Sequence, residues 1–94
     1  MALLDLLGRR WVLRIMWELR EGGAGFRELQ LRCEGMSPSV LSQRLRELDE
    51  AGVLGLADGR YALSPEGREL REGLAPLRAW AERWAQRRPR MPKH

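Results

Sequence analysis

The chain has 94 residues, 44% of them hydrophobic and 32% charged, with a formal net charge of +4 and a sequence pI near 10.5. That length holds one small domain with a modest core, and no apolar run approaches the roughly 20 residues of a membrane span. All but one of the 17 basic residues are arginine, and a positive balance of this kind suits a polyanionic partner.

Met1-Ala2-Leu3-Leu4-Asp5 has no basic leader and an early acid, so a secretory signal is not expected and the cytoplasm is the expected compartment. Leu3, Leu4, Leu6 and Leu7 predict a short apolar helix interrupted at Gly8. A longer helix is predicted next from Trp11, Val12, Ile15, Met16 and Leu19, ending at Gly22-Gly23. Phe26, Leu29, Cys33 and Met36 make a second stripe and place a helix over about 26–33, without a side-chain cap at Gly25. Gly35 turns the chain into Ser37-Pro38, a good N-cap followed by a residue suited to the first helical position. This helix is predicted to end near Ala51-Gly52, and the two helices with their glycine-containing turn read as a helix-turn-helix.

Val53–Leu56 and Tyr61–Leu63 are separated by Ala57-Asp58-Gly59-Arg60, and Asp-Gly between apolar runs signals a β-hairpin. Ser64-Pro65-Glu66 then starts a last helix lined by Leu70, Leu74, Leu77, Trp80, Ala81 and Trp84, which Pro76 is expected to kink or split. The expected fold is therefore mainly α with a small β-hairpin: a winged helix-turn-helix with terminal dimerisation helices. One domain is expected over 1–88 and a basic, disordered tail over 89–94.

Within the helix that starts at Ser37, Leu41, Leu45 and Leu48 form one apolar stripe. Ser39, Ser42, Gln43 and Arg46 fall on the opposite face at about 100° per residue. Hydroxyls, an amide and a guanidinium are the groups that meet base edges and phosphates in a DNA major groove. Gln43 suits adenine and Arg46 guanine, while Ser37, Ser39 and Ser42 suit phosphates as well as bases. Arg44 flanks the stripe, as a DNA contact or as a partner of Glu47 or Glu28. Arg27, Arg32 and Arg60 are candidate phosphate contacts.

Over roughly residues 6–84 the chain resembles the HxlR-type winged-helix regulators of bacteria, relatives of MarR-type proteins. The resemblance is carried by Leu6-Leu7-Gly8-Arg9-Arg10-Trp11, by Phe26-Arg27-Glu28-Leu29 and by Met36–Leu48. Gly52-Val53-Leu54, Tyr61–Leu70 and Trp80 complete it. It implies a homodimer on a pseudo-palindromic DNA operator, with Leu3, Leu4, Leu7, Leu74, Leu77, Trp80 and Trp84 at the dimer interface. In the family the hairpin loop is usually longer, basic and proline-containing. Here it is cut to four residues, with Arg60 as the candidate contact at its tip.

The single cysteine, Cys33, rules out an internal disulfide, and its place on an apolar stripe reads as a buried hydrophobe rather than an oxidant sensor. His94 is the only histidine, so neither a metal site nor a catalytic triad is expected, and no phosphate-cradling glycine motif implies a cofactor. Trp11, Trp17, Trp80 and Trp84 read as core and dimer packing before a ligand pocket, and nothing names a small-molecule effector. The expected function is sequence-specific regulation of transcription, as a repressor and not an enzyme. The rivals are a winged-helix interaction module without sequence-specific DNA binding and an architectural DNA binder.

Overall fold

The computed structural model describes residues 2–87. Its elements are α1 (Ala2–Leu7), α2 (Val12–Glu18), α3 (Phe26–Arg32), α4 (Pro38–Glu50), β1 (Leu54–Ala57), β2 (Arg60–Leu63) and α5 (Pro65–Arg87). Four helices, a hairpin and a long terminal helix make the winged helix-turn-helix that the sequence predicts. The tail expected at 89–94 lies outside the described residues.

Helix α4 has well-formed ends. The Ser37 hydroxyl accepts from the Val40 amide at 3.2 Å, and Pro38 occupies the first turn, where no helical partner awaits its nitrogen. At the other end Gly52 adopts φ 78°, the Val53 amide donates to the Leu48 carbonyl, and the Gly52 amide donates to the Asp49 carbonyl. Those two bonds form a Schellman motif, and the positive φ explains the glycine. Between the caps, Leu41, Leu45 and Leu48 are sealed in the core beside Ile15, Leu29, Cys33, Val53 and Leu63.

Helix α2 is shorter than predicted. It stops at Glu18 rather than at the glycine pair, because the Leu19 amide divides between the Ile15 and Met16 carbonyls, a tightened final turn. Arginines then brace the ends of α2 and α3: Arg14 donates to the Arg32 carbonyl at 2.7 Å, and Arg32 donates to the Glu18 carbonyl at 3.1 Å. Each guanidinium satisfies a carbonyl that a helix end leaves open. A second feature absent from the prediction is Trp11, which enters α2 with φ 81°, a left-handed conformation that costs a bulky residue about 1–2 kcal/mol.

The hairpin turn holds two residues, Asp58 and Gly59, both at positive φ (54° and 72°), so Ala57 pairs with Arg60 across it. This is the turn whose twist matches antiparallel strands. Ala24 forms an antiparallel bridge with Tyr61, exchanging amide–carbonyl bonds of 2.9 and 2.8 Å, which ties the hairpin to the segment before α3.

Helix α5 is not split at Pro76. The proline and Glu72, whose carbonyl loses its helical partner there, both lie on the exposed face, where water can replace the missing bond. At its start the Ser64 hydroxyl accepts from the Gly67 amide at 3.0 Å and donates to the Gly52 carbonyl at 2.6 Å. Farther along, Arg78 and Arg20 each lie with the guanidinium carbon 3.7 Å from the Trp17 ring centroid. Two guanidiniums that close cannot share one face, so the indole is sandwiched between them and joins α2 to α5. Such contacts are worth about 0.5–2 kcal/mol each.

Gly67 is where α5 rests on the hairpin entry, because a Cβ there would collide with the Val53 carbonyl oxygen. In an open helix position, alanine for glycine gains up to about 1 kcal/mol. Here we expect Gly67→Ala to lose about 1–3 kcal/mol in chemical denaturation, the usual cost of overpacking. A stability gain would show that the contact is slack.

Candidate nucleic-acid interface

The burial of Leu41, Leu45 and Leu48 sets the rotation of α4, and that rotation leaves Ser39, Ser42, Gln43 and Arg46 exposed together on one face. Ser37 stands at its N-terminal edge, where the cap bond uses its oxygen, and lies 3.3 Å from the Ser39 hydroxyl. Ser42 and Arg46 bond no other described residue, which leaves a hydroxyl and a full guanidinium fork open to a ligand. Gln43 donates its amide to Glu47 at 3.3 Å.

The remaining predicted contacts divide into open and committed groups. Arg27 is exposed on α3 and bonds no described residue. Arg44 is largely covered, donating to the Arg10 carbonyl at 2.9 Å and to Glu47 at 3.1 Å, the acidic partner the sequence offered as an alternative. Arg32 is spent on the Glu18 carbonyl and on Glu28, 3.6 Å away.

Arg60 does not project from the hairpin as a free tip. It donates to the Glu28 carboxylate at 3.0 Å and to the Gly23 carbonyl at 2.6 Å. The two-residue turn puts it in the last strand pair, close enough to the start of α3 to close these bonds. Glu28 also accepts from the Gly25 amide at 3.0 Å, so the uncapped N-terminus of α3 is served by a carboxylate reaching back from its own first turn. That backbone bond, followed by the Arg60 charge, holds the Glu28 carboxyl below the ordinary carboxylate range.

Of the residues expected at a dimer interface, Leu3, Leu4, Leu77, Trp80 and Trp84 are exposed, whereas Leu7 and Leu74 are half-buried against the core of their own chain. The Trp80 and Trp84 rings stack, with centroids 6.2 Å apart and planes 13° from parallel. Between α2 and α5 runs an apolar groove of about 540 Å³ with Leu13, Met16, Trp17, Leu74 and Leu77 among its walls. Cys33 is fully buried, and burial pushes its thiol above the ordinary value, against the thiolate that oxidants attack. Among the described residues no group of His, Cys, Asp and Glu is placed to hold a metal ion, and no helix is long and apolar enough to cross a membrane.

The HxlR-like helix-turn-helix family matches residues 6–89. The chain belongs to that family. It is a transcriptional regulator of the helix-turn-helix type, from a family of DNA-binding proteins rather than enzymes. An uncharacterized regulator of this type from Bacillus subtilis, YvaP, is 32% identical over 87 residues, spanning 85% of this chain and 81% of YvaP. Among solved structures, the quinone-bound YodB of B. subtilis superposes with a TM-score of 0.83 at 28% identity, covering 87% of this chain and 93% of that one. A MarR-family regulator from Enterococcus faecalis V583 gives 0.82 at 32% identity, covering 88% and 82%.

Two outcomes are expected. Because Glu28 is more acidic folded than unfolded, its contribution is full above the unfolded value and fades as pH falls through the lower folded one. Thermal unfolding of Glu28→Gln should therefore differ from wild type at neutral pH and converge with it in acid. A gap that persists in acid contradicts the assignment. Cys33 should react with an aromatic disulfide reagent only as fast as the protein opens, and rapid labelling of the folded chain contradicts its burial.

Proposed function

We propose that the protein is a sequence-specific repressor that binds a pseudo-palindromic operator as a homodimer in the cytoplasm. The observation that carries this reading is the two-sided α4, with Leu41, Leu45 and Leu48 sealed inside and Ser39, Ser42, Gln43 and Arg46 gathered outside. Arg46 is the base reader with its fork free, suited to guanine, and Gln43 suits adenine. Ser37, Ser39, Ser42 and Arg27 meet phosphates and set the register. Arg60 enters only as a secondary contact, after leaving Glu28, while Arg44, also a candidate contact in the sequence, stays with Glu47 and the Arg10 carbonyl.

Two copies would place their α4 helices in successive major grooves about 34 Å apart. Exposed Leu3, Leu4, Leu77, Trp80 and Trp84 supply apolar surface for the partner, with Leu7 and Leu74 at its inner edge. Repression would follow from occupancy, the bound dimer excluding polymerase from the promoter.

The test is fluorescence anisotropy against the DNA upstream of the protein's own gene, with a scrambled duplex alongside and both repeated across a salt series. Preference for the native duplex, with affinity falling linearly in log salt, is expected. Arg46→Ala should lose about 1–3 kcal/mol on the native duplex and much less on the scrambled one. Equal binding to both duplexes would favour an architectural role, and no binding at low salt would favour a protein-interaction module. Sedimentation of wild type beside a Trp80→Glu, Trp84→Glu double variant tests the dimer, and a wild-type monomer at micromolar concentration contradicts it.

A further inference from the structure

Glu47 is an acid beside a face proposed to meet DNA, one helical turn beyond Gln43, and its side chain is only 17% exposed. Three groups converge on it. Arg9, from the connection between α1 and α2, approaches to 2.7 Å, Arg44 to 3.1 Å and the Gln43 amide nitrogen to 3.3 Å. Arg44 is held a second time by the Arg10 carbonyl at 2.9 Å. The carboxylate therefore joins the N-terminal connection to a side chain of the candidate reading face.

From this geometry we infer that Glu47 is a specificity-determining positioning residue for DNA binding, an inference that rests on the function proposed above. It acts in two ways. A carboxylate only accepts hydrogen bonds, so Gln43 must turn its NH2 end toward Glu47. That leaves the Gln43 carbonyl oxygen and one N–H outward, the acceptor and donor that an adenine edge matches. Holding the side chain there removes rotamers it would otherwise lose on binding. The second effect is on charge. Arg9 and Arg44 lie next to the reading face, where two free guanidiniums would bind phosphates of any sequence. Paired with Glu47, they add no sequence-independent affinity. The acid thus suppresses indiscriminate binding while it orients a reader.

Glu47→Gln, titrated against the native and scrambled duplexes across a salt series, tests this. Binding to the scrambled duplex should tighten, and the slope of log affinity against log salt should steepen by about 0.9 for each arginine released, up to two. The ratio between native and scrambled affinities should narrow by about tenfold, the size of a single mismatched base pair. In a Gln43→Ala background the same substitution should steepen the slope while narrowing the ratio far less. Parallel weakening on both duplexes with an unchanged slope would overturn the inference, as would a ratio that does not move. Arg9→Gln, outside α4, is a second variant should the first not fold. It should leave the slope as it is, and a slope shallower by about one would mean that Arg9 already binds phosphate, overturning the inference. Wild type that binds both duplexes equally would overturn the function reading and this inference with it. Wild type that discriminates, with Glu47→Gln discriminating equally well, overturns this inference alone.

Discussion

A thirteen-residue helix with three leucines on one side has one stable rotation once those leucines are covered, and the rest of the molecule follows from covering them. Fully burying a leucine is worth roughly 1.5–3 kcal/mol, so turning α4 to expose the stripe would forfeit most of a small domain's stability. Helices α2 and α3 form one side of the cover and the two ends of the hairpin another, through Ile15, Leu29, Val53 and Leu63. Ser37 and Gly52 then fix where the helix begins and ends. The polar face of α4 is thereby held on a rigid element, with its outward direction set by apolar packing.

Arginine serves two purposes in this chain. One set braces the fold: Arg14 and Arg32 close the ends of neighbouring helices, Arg20 and Arg78 enclose the Trp17 indole, and Arg60 pins the hairpin to the start of α3. Arg27 and Arg46 instead remain exposed and bond no described residue. Net charge alone does not separate these sets. A guanidinium with five donors can serve two carbonyls or a carbonyl and a carboxylate, which suits an arginine-rich chain to holding short helices together.

The order of elements was legible from local chemistry. Ser37-Pro38, the leucine spacing, Gly52, Asp58-Gly59 and Ser64-Pro65 each dictate a cap or a turn within a few residues of themselves. What escaped depends on pairs distant in sequence. Arg60 reads as an exposed tip until the two-residue turn brings it to Glu28, and Arg9 gives no sign that Glu47 lies beside it. The Gln43–Glu47 spacing of four residues was a signal in plain view that went unread, whereas Arg44–Glu47 at three was among the alternatives the sequence offered. The early stop of α2 and the left-handed Trp11 have no local signature, since packing around a tight joint imposes both. Pro76 does not split its helix for a related reason: the effect of such a proline depends on whether the freed carbonyl meets water or core.

The close seat at Gly67 has a mechanical side. Helix α5 spans Pro65–Arg87, and from Gly67 onward it extends as a rod for about 32 Å at 1.5 Å per residue. Its base is wedged on the Val53 carbonyl and held by Ser64, with no slack between rod and hairpin. A tilt of about 5° at that base carries the far end of a rod this long through about 3 Å. The gearing runs both ways, so a load that shifts the distal tryptophans by the width of one atom returns to the hairpin as a small, stiff rotation.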